Sequence, residues 1–248
     1  MNINNVWQQL ISDLIKQVGT YSPRGAPTKE ILGYQTKIDM SNPFLDIPNR
    51  KLGESFRFAE AAWILSGDNR VKTIKPYSKM IEQFSDDGVR FFGSYGPKIV
   101  DQISYVVDTL NKDKYSRQAV INIWREKPGP SKDIPCTCSL QFLIRNNTLH
   151  CIATMRSSDA WLGWPYDVFN FTCVSIYTLL QLKHLHNKIY AIGNLTLNAG
   201  SQHLYERNWE LARKCIYCDT AGNNYRIPFG NFRDADELIE YLWWSARG

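Results

Sequence analysis

Cys136 follows Pro135 and opens the run Cys136-Thr137-Cys138-Ser139-Leu140-Gln141-Phe142, so its thiol stands where a strand is expected to begin. A thiolate is a strong nucleophile, and neighbouring cations favour that form of the side chain. Further along, Arg156-Ser157-Ser158-Asp159 supplies such a cation beside a hydroxyl. A guanidinium there can hold a phosphate or carboxylate through charge-assisted bonds. The pair Tyr166-Asp167 then places a carboxyl at the head of a long apolar run. We read Cys136 as a nucleophile, Arg156 as an anion ligand and Asp167 as the residue that recognises the substrate. Taken alone, Asp167 also reads as an ordinary acidic residue capping a helix N-terminus.

Other chemical residues are less pointed. Glu60 abuts an apolar helical stripe, which the pattern places at a solvated stripe edge in preference to a pocket that raises its pKa. Cys215-x-x-Cys218 is a lone pair with no second pair of ligands at zinc spacing, so no metal site is expected and the two read as ordinary thiols. The loop Tyr21-Ser22-Pro23-Arg24-Gly25-Ala26-Pro27-Thr28 carries one cation on a backbone set by Pro and Gly, and reads as a connector or as a loop that brings Arg24 to an anion.

These groups need a scaffold, and hydrophobic spacing outlines it. Helices are expected over 5–19, 54–66, 98–112, 166–183 and 233–245. Strands are expected over 30–40, 118–124, 138–145, 149–155 and 189–198. The Asn146-Asn147 pair reads as a hairpin turn between two of them. The segment 166–183 is apolar nearly all round, so it should be a buried central helix. The stretch Arg156–Asp159 reads as a turn, and residues after Gly200 as a new segment leading into a helix through about 214. Without a repeat or low-complexity linker, residues 1–248 read as a single α+β domain, a mixed sheet against the central helix.

The net charge of +5 is a mild excess that fits an anionic small substrate. No run of five basic residues occurs, so nucleic acid is not an expected partner. The N-terminus lacks the basic-then-apolar order of a signal peptide, and no apolar stretch reaches membrane-spanning length, so a cytoplasmic location with reduced thiols is expected.

Six pieces, in order, resemble the thymidylate synthase family. They are Glu60-Ala61-Ala62-Trp63-Ile64-Leu65-Ser66-Gly67-Asp68, Gly93-Ser94-Tyr95-Gly96, Arg117 through Trp124, Pro135-Cys136 with Gln141-Phe142, Arg156-Ser157-Ser158-Asp159 with Leu162-Gly163 and Pro165-Tyr166, and His203-x-Tyr205. The resemblance implies a homodimer acting on a pyrimidine nucleoside monophosphate, with 5,10-methylenetetrahydrofolate as co-substrate and no metal. Cys136 would add to carbon 6 of the ring. Arg156, Ser157 and Arg24 would hold the phosphate, with Arg117 reaching over from the partner subunit. Glu60 would organise water and relay protons near carbon 5, which reverses the solvated reading, and Tyr95 would order that network. Trp63, Asp159, Leu162 and Gly163 would contact the folate, and His203 and Tyr205 the sugar.

Departures from the family pattern sharpen the expectation. The synthases carry Asn where this chain has Asp167, and His where it has Thr137; the deoxycytidylate hydroxymethylases are similar to this chain at both. Cytosine offers an amine donor and a ring-nitrogen acceptor, which a protonated Asp can complement, while an ionised Asp can pair the amine and a protonated ring nitrogen. We therefore expect (d)CMP 5-hydroxymethylation, with water quenching the one-carbon adduct. The alternatives are a thymidylate synthase, a cytidylate 5-methylase and an inactive nucleotide- or RNA-binding relative. Gln118 replaces the second Arg of the family's pair, and Lys127 or Lys132 is expected to compensate. The segment Glu240–Gly248 lacks the synthases' apolar closing tail, so an open, water-accessible site is expected.

Overall fold

A computed structural model describes residues 2–125, 129–219 and 225–248, without the side chain of Arg24. Lys127 lies outside these residues. Five strands form one mixed sheet in the order β1-β5-β4-β3-β2, with β1 Thr28–Asp39, β2 Val120–Asn122, β3 Thr137–Arg145, β4 Thr148–Asp159 and β5 Ala191–Tyr205. All neighbours are antiparallel except β4 and β5. A parallel pair needs a long crossover. Helix α5, Trp164–His186, supplies it and fills the inner face of the sheet.

α5 starts at Gly163 with Pro165 in its first turn and ends at Asn187, which takes the left-handed conformation at φ 52°. It is buried on almost every side, as its composition predicts. Its interior hydroxyls remain satisfied: Thr172, Ser175 and Thr178 each donate to the carbonyl four residues earlier, at 2.8–2.9 Å. Around it stand α1 Ile3–Ile15, α2 Glu54–Leu65, α3 Val71–Ile74, α4 Gly96–Lys112, α6 Trp209–Cys215 and α7 Ala235–Arg247. The C-terminal residues from Glu240 to Arg247 are helix, and α7 packs on α2 through Leu238, Leu242 and Ala246. At the β3–β4 hairpin both Asn146 and Asn147 adopt positive φ, 50° and 58°, the conformation that asparagine tolerates and this turn demands.

Three expectations need correction. The N-terminal helix stops at Ile15 and leaves Val18 fully exposed, so the apolar spacing overran the core. Arg156–Asp159 is strand, because Ser157, Ser158 and Asp159 pair with Ser201, Gln202 and His203. β5 runs unbroken through Gly200 to Tyr205, because β1 and β4 flank it along most of its length. Long-range pairing overrode the local glycine signal. Among the described residues no helix is long and apolar enough to cross a membrane, and no cluster of three metal-ligating side chains occurs.

Candidate active site

β3 and β4 bring Cys136 and Arg156 together. Cys136 lies one residue before β3, and the Arg156 backbone amide donates to its carbonyl at 2.8 Å. The Arg156 guanidinium donates to the Pro135 and Ile134 carbonyls at 3.0 and 3.1 Å, which fixes its plane. From there Nη2 reaches Cys136 Sγ at 3.7 Å, and Ser157 Oγ reaches the same sulfur at 3.6 Å. A cation and a hydroxyl on one sulfur favour the thiolate. Arg156 is exposed enough to offer its free edge to an anion as well.

The opposite wall comes from α2, α5 and the loop before α4. Gly93 donates its amide to Asp133 Oδ2 at 2.6 Å, and a Cβ there would sit 2.1 Å from the Asp133 carbonyl oxygen. Only glycine allows that loop to lie against the segment leading to Cys136. Tyr95 follows, stacked on Phe171, its hydroxyl accepting from the Thr137 amide at 3.4 Å. Burial, then the charges of Asp167 and Cys136, hold the phenol well above its ordinary range. Glu60 projects from α2 to α5, where Asn170 Nδ2 donates to its Oε2 at 2.8 Å. Burial pushes Glu60 up to about 7, and the Asn170 bond works against that shift. Asp167 is also raised well above the carboxylate range, by burial first and then by the charges of Glu60 and Asp159.

These groups line one cavity of about 300 Å³ that holds Glu60, Trp63, Tyr95, Cys136, Arg156 and Asp167. One side of it is aromatic and aliphatic, with Phe84, Phe91, Ile64 and Ile81 beside Trp63. A second cavity of about 420 Å³ adjoins it and shares Lys132, Ile134 and Arg156. His203 and Tyr205 lie here with Ser157, their rings edge to face at 5.2 Å. Pro23 borders this second cavity, so the Arg24 loop is adjacent although that side chain lies outside the description.

Four expected residues are not brought in. Asp159 Oδ1 accepts from the Trp161 and Leu162 amides at 2.8 and 3.1 Å, holding the turn into α5. Leu162 and Gly163 belong to that turn, outside the lining of either cavity. Arg117 sits with Gln118 in a separate surface depression beside Tyr105 and Lys112. Conversely, Asn170 was missed in the sequence. It lies three residues after Asp167, one helical turn along the same face, and that spacing was the available signal. Lys132 stands in the shared wall, as one of the two expected compensating lysines.

Cys136, Arg156 and Glu60 thus share one cavity, and a second cavity carrying Ser157, His203 and Tyr205 adjoins it. A family profile described as thymidylate synthase matches residues 5–224. The chain is 27% identical over 211 residues to a thymidylate synthase of Francisella tularensis subsp. holarctica (strain FTNF002-00 / FTA), covering 75% of this chain and 74% of that protein. The chain belongs to the thymidylate synthase family, whose members transfer a one-carbon unit to carbon 5 of a pyrimidine nucleotide using methylenetetrahydrofolate. The aromatic wall suits a flat pterin, and Trp63 Nε1 is buried there without a hydrogen-bond partner among the described residues.

Proposed function

We propose that this protein is a (d)CMP 5-hydroxymethylase. The observation that carries the reading is Asp167, a buried carboxyl on the cavity wall where the family's synthases present an amide. Burial, and then the charges of Glu60 and Asp159, push it toward its neutral form. Such a site is rich in acceptors, and the ligand edge that relieves it is rich in donors. The 4-amino group of cytosine is that edge, and a proton shared between Asp167 and the ring nitrogen completes the pair. The uracil edge replaces the amine with a further acceptor.

Bound methylenetetrahydrofolate would supply the one-carbon unit. The chain's own residues do the rest. Cys136 adds to carbon 6, held as thiolate by Arg156 and Ser157, and makes carbon 5 nucleophilic. Arg156, Ser157 and Lys132 hold the phosphate from the second cavity, and His203 and Tyr205 the sugar. Tyr95 spans the nucleophile and Asp167. Glu60, poised near neutrality, is the proton acceptor. Arg117 lines neither cavity but a separate depression, which supports a homodimer in which it completes the partner's phosphate pocket.

The decisive experiment incubates the protein with methylenetetrahydrofolate and either a cytidylate or dUMP, then weighs the product. The expected result is a cytidylate heavier by a hydroxymethyl group. A methylated dUMP would instead identify a thymidylate synthase, the reading favoured by the name of the Francisella relative. Asp167→Asn should move preference toward uracil by about 100-fold or more, since a mismatched hydrogen-bond edge leaves buried groups unpaired. An unchanged preference would remove the argument for cytosine.

A further inference from the structure

Asn170 is 3% exposed, yet only half of its amide is used. Nδ2 donates to Glu60 Oε2 at 2.8 Å. Oδ1 is buried in the cavity wall with no hydrogen-bond partner among the described residues. In its ionised form, the one that can take a proton from water, Glu60 can only accept, so it fixes the amide with Nδ2 toward itself and leaves Oδ1 as an unfilled acceptor. Buried acceptors without partners are rare in native proteins, and one facing a ligand cavity calls for a donor from the ligand or from water. The base's amine is not that donor, because Asp167, one turn earlier on α5, already faces it. The rise of roughly 4.5 Å between the two residues places Asn170 farther along the helix, beside Glu60.

We propose that Asn170 is a positioning residue that clamps the Glu60 carboxylate and, through Oδ1, orients the water that ends the reaction. The inference rests on the hydroxymethylase reading and says which groups deliver its water. One O–H of that water points to Asn170 Oδ1 and the other to Glu60. The water oxygen bonds to the exocyclic methylene carbon on carbon 5, and its proton passes to Glu60. The electron pair of the exocyclic double bond moves into the ring. It returns to form the 5,6 double bond and expel Cys136 as thiolate. No oxidant or reductant is required.

The test uses the full chain with a 5-tritiated cytidylate and methylenetetrahydrofolate. Tritium release reports the steps up to loss of the carbon 5 proton, and product mass reports the water step. In the parent the two should agree. Asn170→Ala should lower hydroxymethyl product about tenfold or more relative to tritium released. An added small thiol should then be captured at the methylene carbon as a thioether. The acid limb of tritium release should also move to higher pH, because the bond that favours the ionised Glu60 is gone. Asn170→Asp, nearly isosteric, should show the same uncoupling, and carries the test if the alanine variant does not fold. A folded variant that keeps tritium release and product equal, with an unmoved acid limb, would overturn the proposal. A methylated product from the parent would overturn the hydroxymethylase reading and the water's place in it, while the acid limb separately decides whether Asn170 clamps Glu60.

Discussion

Arg156 and Ser157 both contact the Cys136 sulfur, so in our reading nucleophile and phosphate site are one structure. Cys136→Ala should therefore abolish tritium release from carbon 5 while nucleotide binding, measured by calorimetry, persists. Glu60 shows the reverse tension. Its pKa is about 7 in the folded protein against an ordinary 4.5. Between those values the native state holds the proton more tightly than the unfolded chain, so stability falls as pH rises through that window. The penalty is fully present above pH 7 and absent below about 4.5. The cavity lets water reach part of the carboxyl, so we expect about 2 kcal/mol, less than the whole shift implies. Glu60→Gln should raise the melting temperature at pH 8 but hardly at pH 5, and should eliminate turnover. Equal effects at both pH values would argue against a buried, protonated Glu60. At this scale the sequence was informative only through motif. Apolar spacing placed Glu60 in solvent, because its pocket is made by α5, far away in the chain.

Among the elements, β4 and α5 line the cavity and β3 begins one residue after Cys136, and most of them were legible. The hairpin pair Asn146-Asn147 and the continuous apolar run of α5 are local signals with local causes. The end of β4 and the middle of β5 were not legible. Their strand character comes from pairing with each other and with β1, and Gly200 resembles a break unless the Arg156 carbonyl packed against it is known. The Gly93 loop makes an elemental prediction. Gly93→Ala would drive a Cβ into the Asp133 backbone, where no flexible side chain can yield. We expect a loss on the order of 2 kcal/mol in denaturant unfolding, together with weakened nucleotide binding, because the displaced segment leads directly to Cys136.

For the whole molecule, the separation of Arg117 from the cavities makes assembly part of catalysis in our reading. Cys136→Ala lacks a nucleophile but keeps Arg117, and Arg117→Ala has the opposite defect. Mixed and allowed to exchange subunits, the two inactive variants should regain roughly a quarter of parental activity, because a hybrid pair owns one complete site. No regain after demonstrated exchange would show that each chain completes its own pocket. The outer sheet face offers a surface for such pairing, with Ile152, Gln141 and Leu143 only half-buried. Spacing says nothing of such a role, since a residue that served a neighbouring copy would have no local pattern to obey.

The partition between the two cavities has a last consequence. Lys132, Ile134 and Arg156 belong to both. A ligand with its ring against Cys136 and its sugar near His203 must cross that wall, with the anion on Arg156. The distance from ring to anion is then gauged by the protein itself. A free nucleoside falls short of the gauge, and a diphosphate overruns it. Length alone should confine turnover to monophosphates, so free nucleosides and nucleotides already committed to polymer synthesis would pass through the cell unread.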